Sequence, residues 1–197
     1  MQIKTSKIDG CKWVITRTLQ EDKGWFSRTY AFPDWAKGGV RTPFLYDGEM
    51  VIAFKNTWRG LYRQCYPYEY SILIRCIHGK SLVVAVDMRE ESETYLKYVI
   101  FECNSENKLQ VYLEKGFAFG FLTLEDNTEL QIKTDAPFSD EYQVRYRWDD
   151  PAIDLQWPEE HDVDPSKFII SAFDSHAKLL EIPMPIVDTA SELLEDN

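Results

Sequence analysis

The chain has 197 residues, the size of one ordinary domain, and its 44% hydrophobic fraction is enough to build a core. A formal net charge of −11 excludes a nucleic-acid partner, which needs a basic face, and argues against an anionic membrane surface. The 14% aromatic fraction favours strands and also suits sites that hold sugars or nucleobases.

The opening residues MQIKTSKIDG carry no apolar run, so no secretory leader is expected. No stretch approaches the ~18 apolar residues of a membrane span, and a cytoplasmic location is expected. Predicted strands then follow one another at short intervals: 11–17, 50–55, 69–77, 81–89, 96–102, 108–113, 117–124, 128–134, 142–148 and 168–174. They are rich in Val, Ile, Tyr and Phe, and turn residues such as His78-Gly79-Lys80 and Asp126-Asn127 separate them, the pattern of an all-β sandwich or barrel. In 81–88 both alternating faces are apolar apart from Ser81 and Asp87, so this strand is read as central and covered on both sides. Gly and Pro interrupt 31–48, which reads as an irregular arm, and the one helix expected is short, near Thr189–Leu194. Residues 1–197 are read as a single domain, of which 188–197 form an acidic, solvated tail.

Cys11, Cys65, Cys76 and Cys103 fit no metal knuckle and no CxxC pair, and are read as reduced and partly buried. The three histidines, His78, His161 and His176, are scattered and form no His-x-His pair, so neither a metal nor another cofactor is expected.

Four stretches carry a resemblance. They are Asp22-Lys23-Gly24-Trp25-Phe26; Arg59-Gly60-Leu61-Tyr62-Arg63-Gln64; Val84-Ala85-Val86-Asp87-Met88-Arg89 with Lys115-Gly116-Phe117-Ala118-Phe119-Gly120-Phe121; and Trp148-Asp149-Asp150-Pro151 with Gln156-Trp157-Pro158. In order and spacing across about residues 20–175 they resemble the 3,5-epimerases of 4-keto-6-deoxy nucleotide sugars. The resemblance implies a cupin jelly roll, a homodimer in which an N-terminal strand crosses to the partner, and a nucleotide-diphosphate sugar in the barrel mouth. It also implies a place in bacterial deoxysugar or O-antigen synthesis.

Epimerisation beside a ketone removes a proton on one face and returns it on the other. It needs a base, a stabiliser of the enolate and an acid on the opposite face. By the resemblance, the base slot holds Tyr62 in place of His, the oxyanion slot Ile72 in place of Lys, the acid slot Ile132 in place of Tyr, and a second His slot Phe119. A phenol is a poor base at neutral pH and Ile moves no proton. The Asp that orients the base matches Asp174, left here with no imidazole to orient. His176, two residues on, would share a strand face with Asp174 if that strand continues, and is a candidate relocated base.

For ligand binding, Lys23, Arg59 and Arg63 are the basic candidates, and Phe26 an aromatic one, with Trp25, Tyr66 and Tyr68 nearby in sequence. Arg28 stands where the resemblance implies a Glu that reads thymine, which puts the identity of the base in doubt. Three readings follow: a nucleotide-sugar-binding cupin without standard catalysis, an active epimerase or isomerase with relocated groups, and a non-enzymatic dimeric scaffold. The apolar slots weigh against the second and Arg59 weighs against the third.

Overall fold

Runs of β-branched and aromatic residues, broken by turns, fold into two antiparallel sheets packed face to face. The computed structural model describes residues 1–181. In chain order these form β1 (Gln2–Thr5), β2 (Cys11–Ile15), β3 (Thr18–Glu21), β4 (Gly24–Ser27) and the short helix α1 (Phe32–Lys37). Then come β5 (Tyr46–Ile52), β6 (Thr57–Gln64), β7 (Ile72–His78), β8 (Lys80–Asp87), β9 (Tyr98–Asn104) and β10 (Leu109–Leu113). The last are β11 (Phe117–Thr123), β12 (Thr128–Thr134), β13 (Gln143–Arg145), β14 (Ile169–Ile170) and a helical turn, α2 (Ala172–Ser175).

One sheet has the order β1-β2-β10-β7-β12-β5 and the other β13-β6-β11-β8-β9, with β14 pairing in parallel to β6. Strands β3 and β4 form a separate hairpin. The jumps in order are those of a jelly roll, in which strands distant in sequence close two facing sheets.

Three apolar layers result. Between the sheets lie Ile72, Ile74, Val83, Ala85, Val111, Phe117, Phe119, Phe121 and Leu130. On the outer face of the second sheet, Trp58, Leu61, Leu82, Val84 and Val86 are covered by the segment carrying Trp148, Ile153, Leu155, Trp157 and Phe168. On the outer face of the first sheet, Val14, Leu73 and Tyr112 are covered by Trp35 of α1 and by Val40. Strand β8 serves two of these layers at once and every residue after Lys80 is buried, as its two apolar faces require.

Two of the family-like motifs are structural ties. Asp87 is fully buried and accepts from Arg89 Nε and Nη2 at 2.8 Å, Ser92 Oγ at 2.6 Å and Thr94 Oγ1 at 2.7 Å. Burial alone would raise its carboxyl, but these donors hold it well below the usual carboxylate range. Asp150 accepts from the backbone of Ala152 at 2.9 Å and of Leu180 at 2.6 Å, fastening the loop that covers the second sheet.

Some expectations are corrected. The 31–48 stretch is not wholly irregular: Pro33 sits in the first turn of α1, and β5 begins at Tyr46. Strand 168–174 shrinks to Ile169–Ile170, because Ser171 caps α2 by accepting from the Asp174 backbone, so the chain turns helical there. Strand β6 is a further element, hidden in the sequence by Arg59, Gly60 and Arg63 interrupting its apolar pattern. The expected helix at Thr189–Leu194 and the tail 188–197 lie outside the described residues. No described helix is long and apolar enough to cross a membrane.

Candidate functional site

A cavity of about 510 Å³ opens between the two sheets. The first sheet lines it with Tyr46, Gly48 and Met50 of β5, Ile72 of β7, and Ile132 and Thr134 of β12. The second contributes Arg59 and Tyr62 of β6, Phe119 and Phe121 of β11, and Gln143 and Arg145 of β13. Tyr70, just before β7, also lines it, and Pro137 and the exposed Phe138 stand at the rim. The four slot residues, Tyr62, Ile72, Phe119 and Ile132, thus line one cavity.

Arg59 and Tyr62 cannot share a face of a regular strand, because odd and even positions point opposite ways. They do so because the pairing of β6 with β11 slips at Gly60: Tyr62 is opposite Phe119, whereas Arg59 is opposite Phe121. Gly60 has φ +137°, and a Cβ on it would lie 2.5 Å from Gly120 Cα. A Cβ on Gly120 would in turn meet the Trp58 ring at 2.5 Å. The two glycines let the strands approach under the Trp58 indole, whose Nε1 donates to Gly60 O at 2.9 Å. The same slip keeps both Trp58 and Leu61 in the outer core.

Tyr62 donates its hydroxyl proton to Asp174 Oδ2 at 2.9 Å. Asp174 is 5% exposed and also accepts from Ser171 Oγ at 2.8 Å, with Arg145 Nε 4.0 Å from Oδ1. So Asp174 has a ring to hold after all, a phenol in place of an imidazole. Burial first, then the adjacent Asp174 charge and hydrogen bond, push the Tyr62 phenol well above its ordinary range. Burial pushes Tyr70 up to about 12. At neutral pH both phenols hold their protons, so they are donors and not bases. The Tyr62 and Tyr70 rings flank Phe119, with centroids 6.2 and 6.4 Å from it.

No histidine or lysine lines the cavity among the described residues. Asp47 of β5 pairs with Lys133 of β12. These two lie directly opposite in register, and Asp47 and Glu49 line the cavity along with Gly48 and Ile132. His176 is exposed at the end of α2, where its Nδ1 meets Ala172 O at 2.7 Å, and it does not line the cavity. The helical turn that replaces the expected strand is what separates it from the Asp174 side chain's direction.

The ligand-binding candidates divide. Arg59 lines the cavity. Arg63 lies elsewhere, donating to Met88 O at 3.3 Å in a cleft with Arg89, Lys115 and three glutamates. Lys23 is at the tip of the β3–β4 hairpin, Phe26 is half exposed on β4, and Arg28 borders a separate cleft with Arg17 and Asp34. None of these three lines the barrel cavity. Arg145 and Tyr70 are site residues that the sequence did not single out. The alternation Gln143, Arg145 on one face against Val144, Tyr146 on the other was the available signal for the first.

Arg59, Tyr62 and Arg145 also line a second cleft of about 380 Å³ that reaches Ser171, Phe173 and Asp174. The Arg145 guanidinium sits 5.6 Å from the Phe173 ring and 6.0 Å from the Tyr62 ring. Two cations therefore mark the junction of an apolar chamber with an outer cleft, a layout that fits a ligand with an anionic centre.

The family model for dTDP-4-dehydrorhamnose 3,5-epimerase matches residues 5–181. The chain is 34% identical over 185 residues to the enzyme of that name from Sinorhizobium fredii, covering 93% of this chain and 92% of the relative. It is 33% identical over 162 residues to the one from Escherichia coli K12, covering 81% and 86%. Among solved structures, that of dTDP-4-dehydrorhamnose 3,5-epimerase from Bacillus anthracis, with TDP and PPi bound, superimposes with a TM-score of 0.84 at 28% identity, over 91% of this chain and 99% of that one. The Legionella pneumophila epimerase in complex with dTDP-4-keto-L-rhamnose gives 0.83 at 26% identity, over 90% and 92%.

Proposed function

Because the chain belongs to the dTDP-4-dehydrorhamnose 3,5-epimerase family, we propose that it binds a nucleotide-linked sugar in its barrel cavity but does not perform the family's standard two-proton epimerisation. The observation that carries this reading is the cavity lining: three tyrosines, two isoleucines, three phenylalanines and two arginines, with Asp47 and Glu49 on exposed positions of β5 and no histidine or lysine among the described residues. Arg59 and Arg145 suit a diphosphate, since a guanidinium forks onto two oxygens at once. The ligand class is supported by the TDP-bound and dTDP-sugar-bound relatives.

The base slot holds a phenol, and the two carboxylates of the lining lie on exposed positions of β5, Asp47 already paired with Lys133, so proton abstraction at C3 or C5 has no imidazole to accept it. Tyr62, held by Asp174, can donate a hydrogen bond to a ligand oxygen only by giving up the bond to Asp174. We place the protein in bacterial deoxysugar synthesis for surface polysaccharide, in the cytoplasm and as a homodimer. The exposed Leu19, Trp25 and Phe26 of the β3–β4 hairpin are the apolar surface that supports self-association. Lys23, Phe26 and Arg28 would then act at a partner's barrel.

The test is solvent deuterium incorporation into 4-keto-6-deoxy sugars carried on dTDP, CDP and GDP, read by mass spectrometry, with binding measured in parallel by calorimetry. Binding without deuterium uptake is the expected outcome. Uptake at C3 or C5 above the buffer rate would sink the proposal and favour an active enzyme with relocated groups, in which the Tyr62–Asp174 pair is the feature to mutate first.

A further inference from the structure

The depth of the cavity differs in chemistry from its mouth. Ile72 is 2% exposed, Phe119 5% and Phe121 1%, and Ile132 packs against the same cluster. Ile72 and Ile132 sit on adjacent strands, β7 and β12, facing Phe119 and Phe121 on β11 across the chamber. None of these four side chains offers a donor or an acceptor. The nearby hydroxyls differ: Tyr62 has committed its proton to Asp174 and Thr134 its own to Ala136 O, whereas Tyr70 has no side-chain hydrogen bond among the described residues. The guanidinium groups lie where the chamber meets the outer cleft.

A hexose carries hydroxyls around its whole ring. Any of them pressed on the four apolar side chains loses water and gains no partner, which weakens binding about tenfold or more for each hydroxyl. A methyl or methylene at the same place gains from burial instead. We infer that the cavity selects a sugar that, beyond the 6-deoxy methyl, lacks a ring hydroxyl on the face that meets Ile72, Phe119, Phe121 and Ile132, with one oxygen directed at Tyr70. This selection rests on the nucleotide-sugar reading above and narrows it to multiply deoxygenated sugars.

The experiment is calorimetric titration of the full chain with a graded series on dTDP, CDP and GDP: the free diphosphate, the glucose form, the 6-deoxyglucose form and dideoxyhexose forms. Affinity is expected to rise along the series, by about tenfold or more from the 6-deoxyglucose form to the best dideoxy form. Ile132→Thr, checked for folding by circular dichroism, is expected to compress that ratio, because its hydroxyl supplies the missing partner. Tyr70→Phe is expected to weaken the deoxysugar forms and leave the free diphosphate unchanged. If the diphosphates and sugars bind with no preference, or the glucose or 6-deoxyglucose form binds best, the selection is overturned while the ligand class stands. If no diphosphate and no sugar form binds, the nucleotide-sugar reading falls, and this inference with it.

Discussion

Replacing Tyr62 by Phe removes the one hydroxyl that joins the cavity to Asp174. The bond is 2.9 Å long and its acceptor is 5% exposed, so water cannot readily take the place of the lost donor. A hydrogen bond to a charged acceptor is worth about 1.5–3 kcal/mol. Asp174 keeps Ser171 Oγ at 2.8 Å and the Arg145 guanidinium at 4.0 Å, which places the expected loss near the middle of that range, about 2 kcal/mol. For a domain of this size that corresponds to a fall in Tm of about 4–8 °C. Asp174→Asn weakens the same bond and also loses charge beside Arg145. The two substitutions should therefore be non-additive, with a coupling of about 1–2 kcal/mol in a double-mutant cycle. Urea unfolding followed by tryptophan fluorescence measures all four corners. Additivity within about 0.5 kcal/mol would show that the phenol and the carboxylate do not act as a pair, and would refute the geometry argued for this end of the cavity.

Gly60→Ala is expected to cost about 3 kcal/mol or more, since it combines positive φ with a 2.5 Å approach to Gly120 Cα, whereas Gly24→Ala, at φ +148° with nothing within 4 Å, carries the backbone strain alone. Thermal melts of the two variants should separate widely, and equal losses would contradict the close approach of β6 and β11. Tyr70 titrates near 10 in the unfolded chain and at about 12 in the fold. Its folded value is raised, so its contribution is fully present below pH 10 and disappears as pH climbs through 12. Tyr70→Phe should flatten the alkaline fall in urea midpoint over that window, and an unchanged slope would show that Tyr70 is not the group responsible. Arg59→Lys and Arg145→Lys should each weaken binding of a nucleoside diphosphate about tenfold by losing the guanidinium fork, while Arg63→Lys leaves it unchanged; calorimetry in which Arg63 matters as much as Arg59 would move the anion site to the other cleft.

The sheets of this fold were legible because their cause is local. Alternating or continuous runs of Val, Ile and Phe, as in 81–89 and 117–124, must be buried on one face or two, and β8 and β11 occupy the middle of their sheet accordingly. The spacing of the four motifs was also enough to indicate the family and to bring Tyr62, Ile72, Phe119 and Ile132 to one lining. What the linear pattern concealed depends on contacts between distant segments. Strand β6 looks broken in sequence, yet Gly60 is the point at which it closes on Gly120, sixty positions away, and turns Arg59 and Tyr62 to the same side. The carboxylate of Asp174 meets Tyr62 only because Ser171 caps a helical turn where alternation had implied a strand, and the same turn leaves His176 outside. Residue types and their order determined the jelly roll and the apolar character of the cavity floor. The pairing of Tyr62 with Asp174, the arrival of Arg145 beside Arg59, and the absence of Lys23, Phe26, Arg28 and Arg63 from the lining were decided by packing across the barrel, because those are relations of position between segments and not of composition within one.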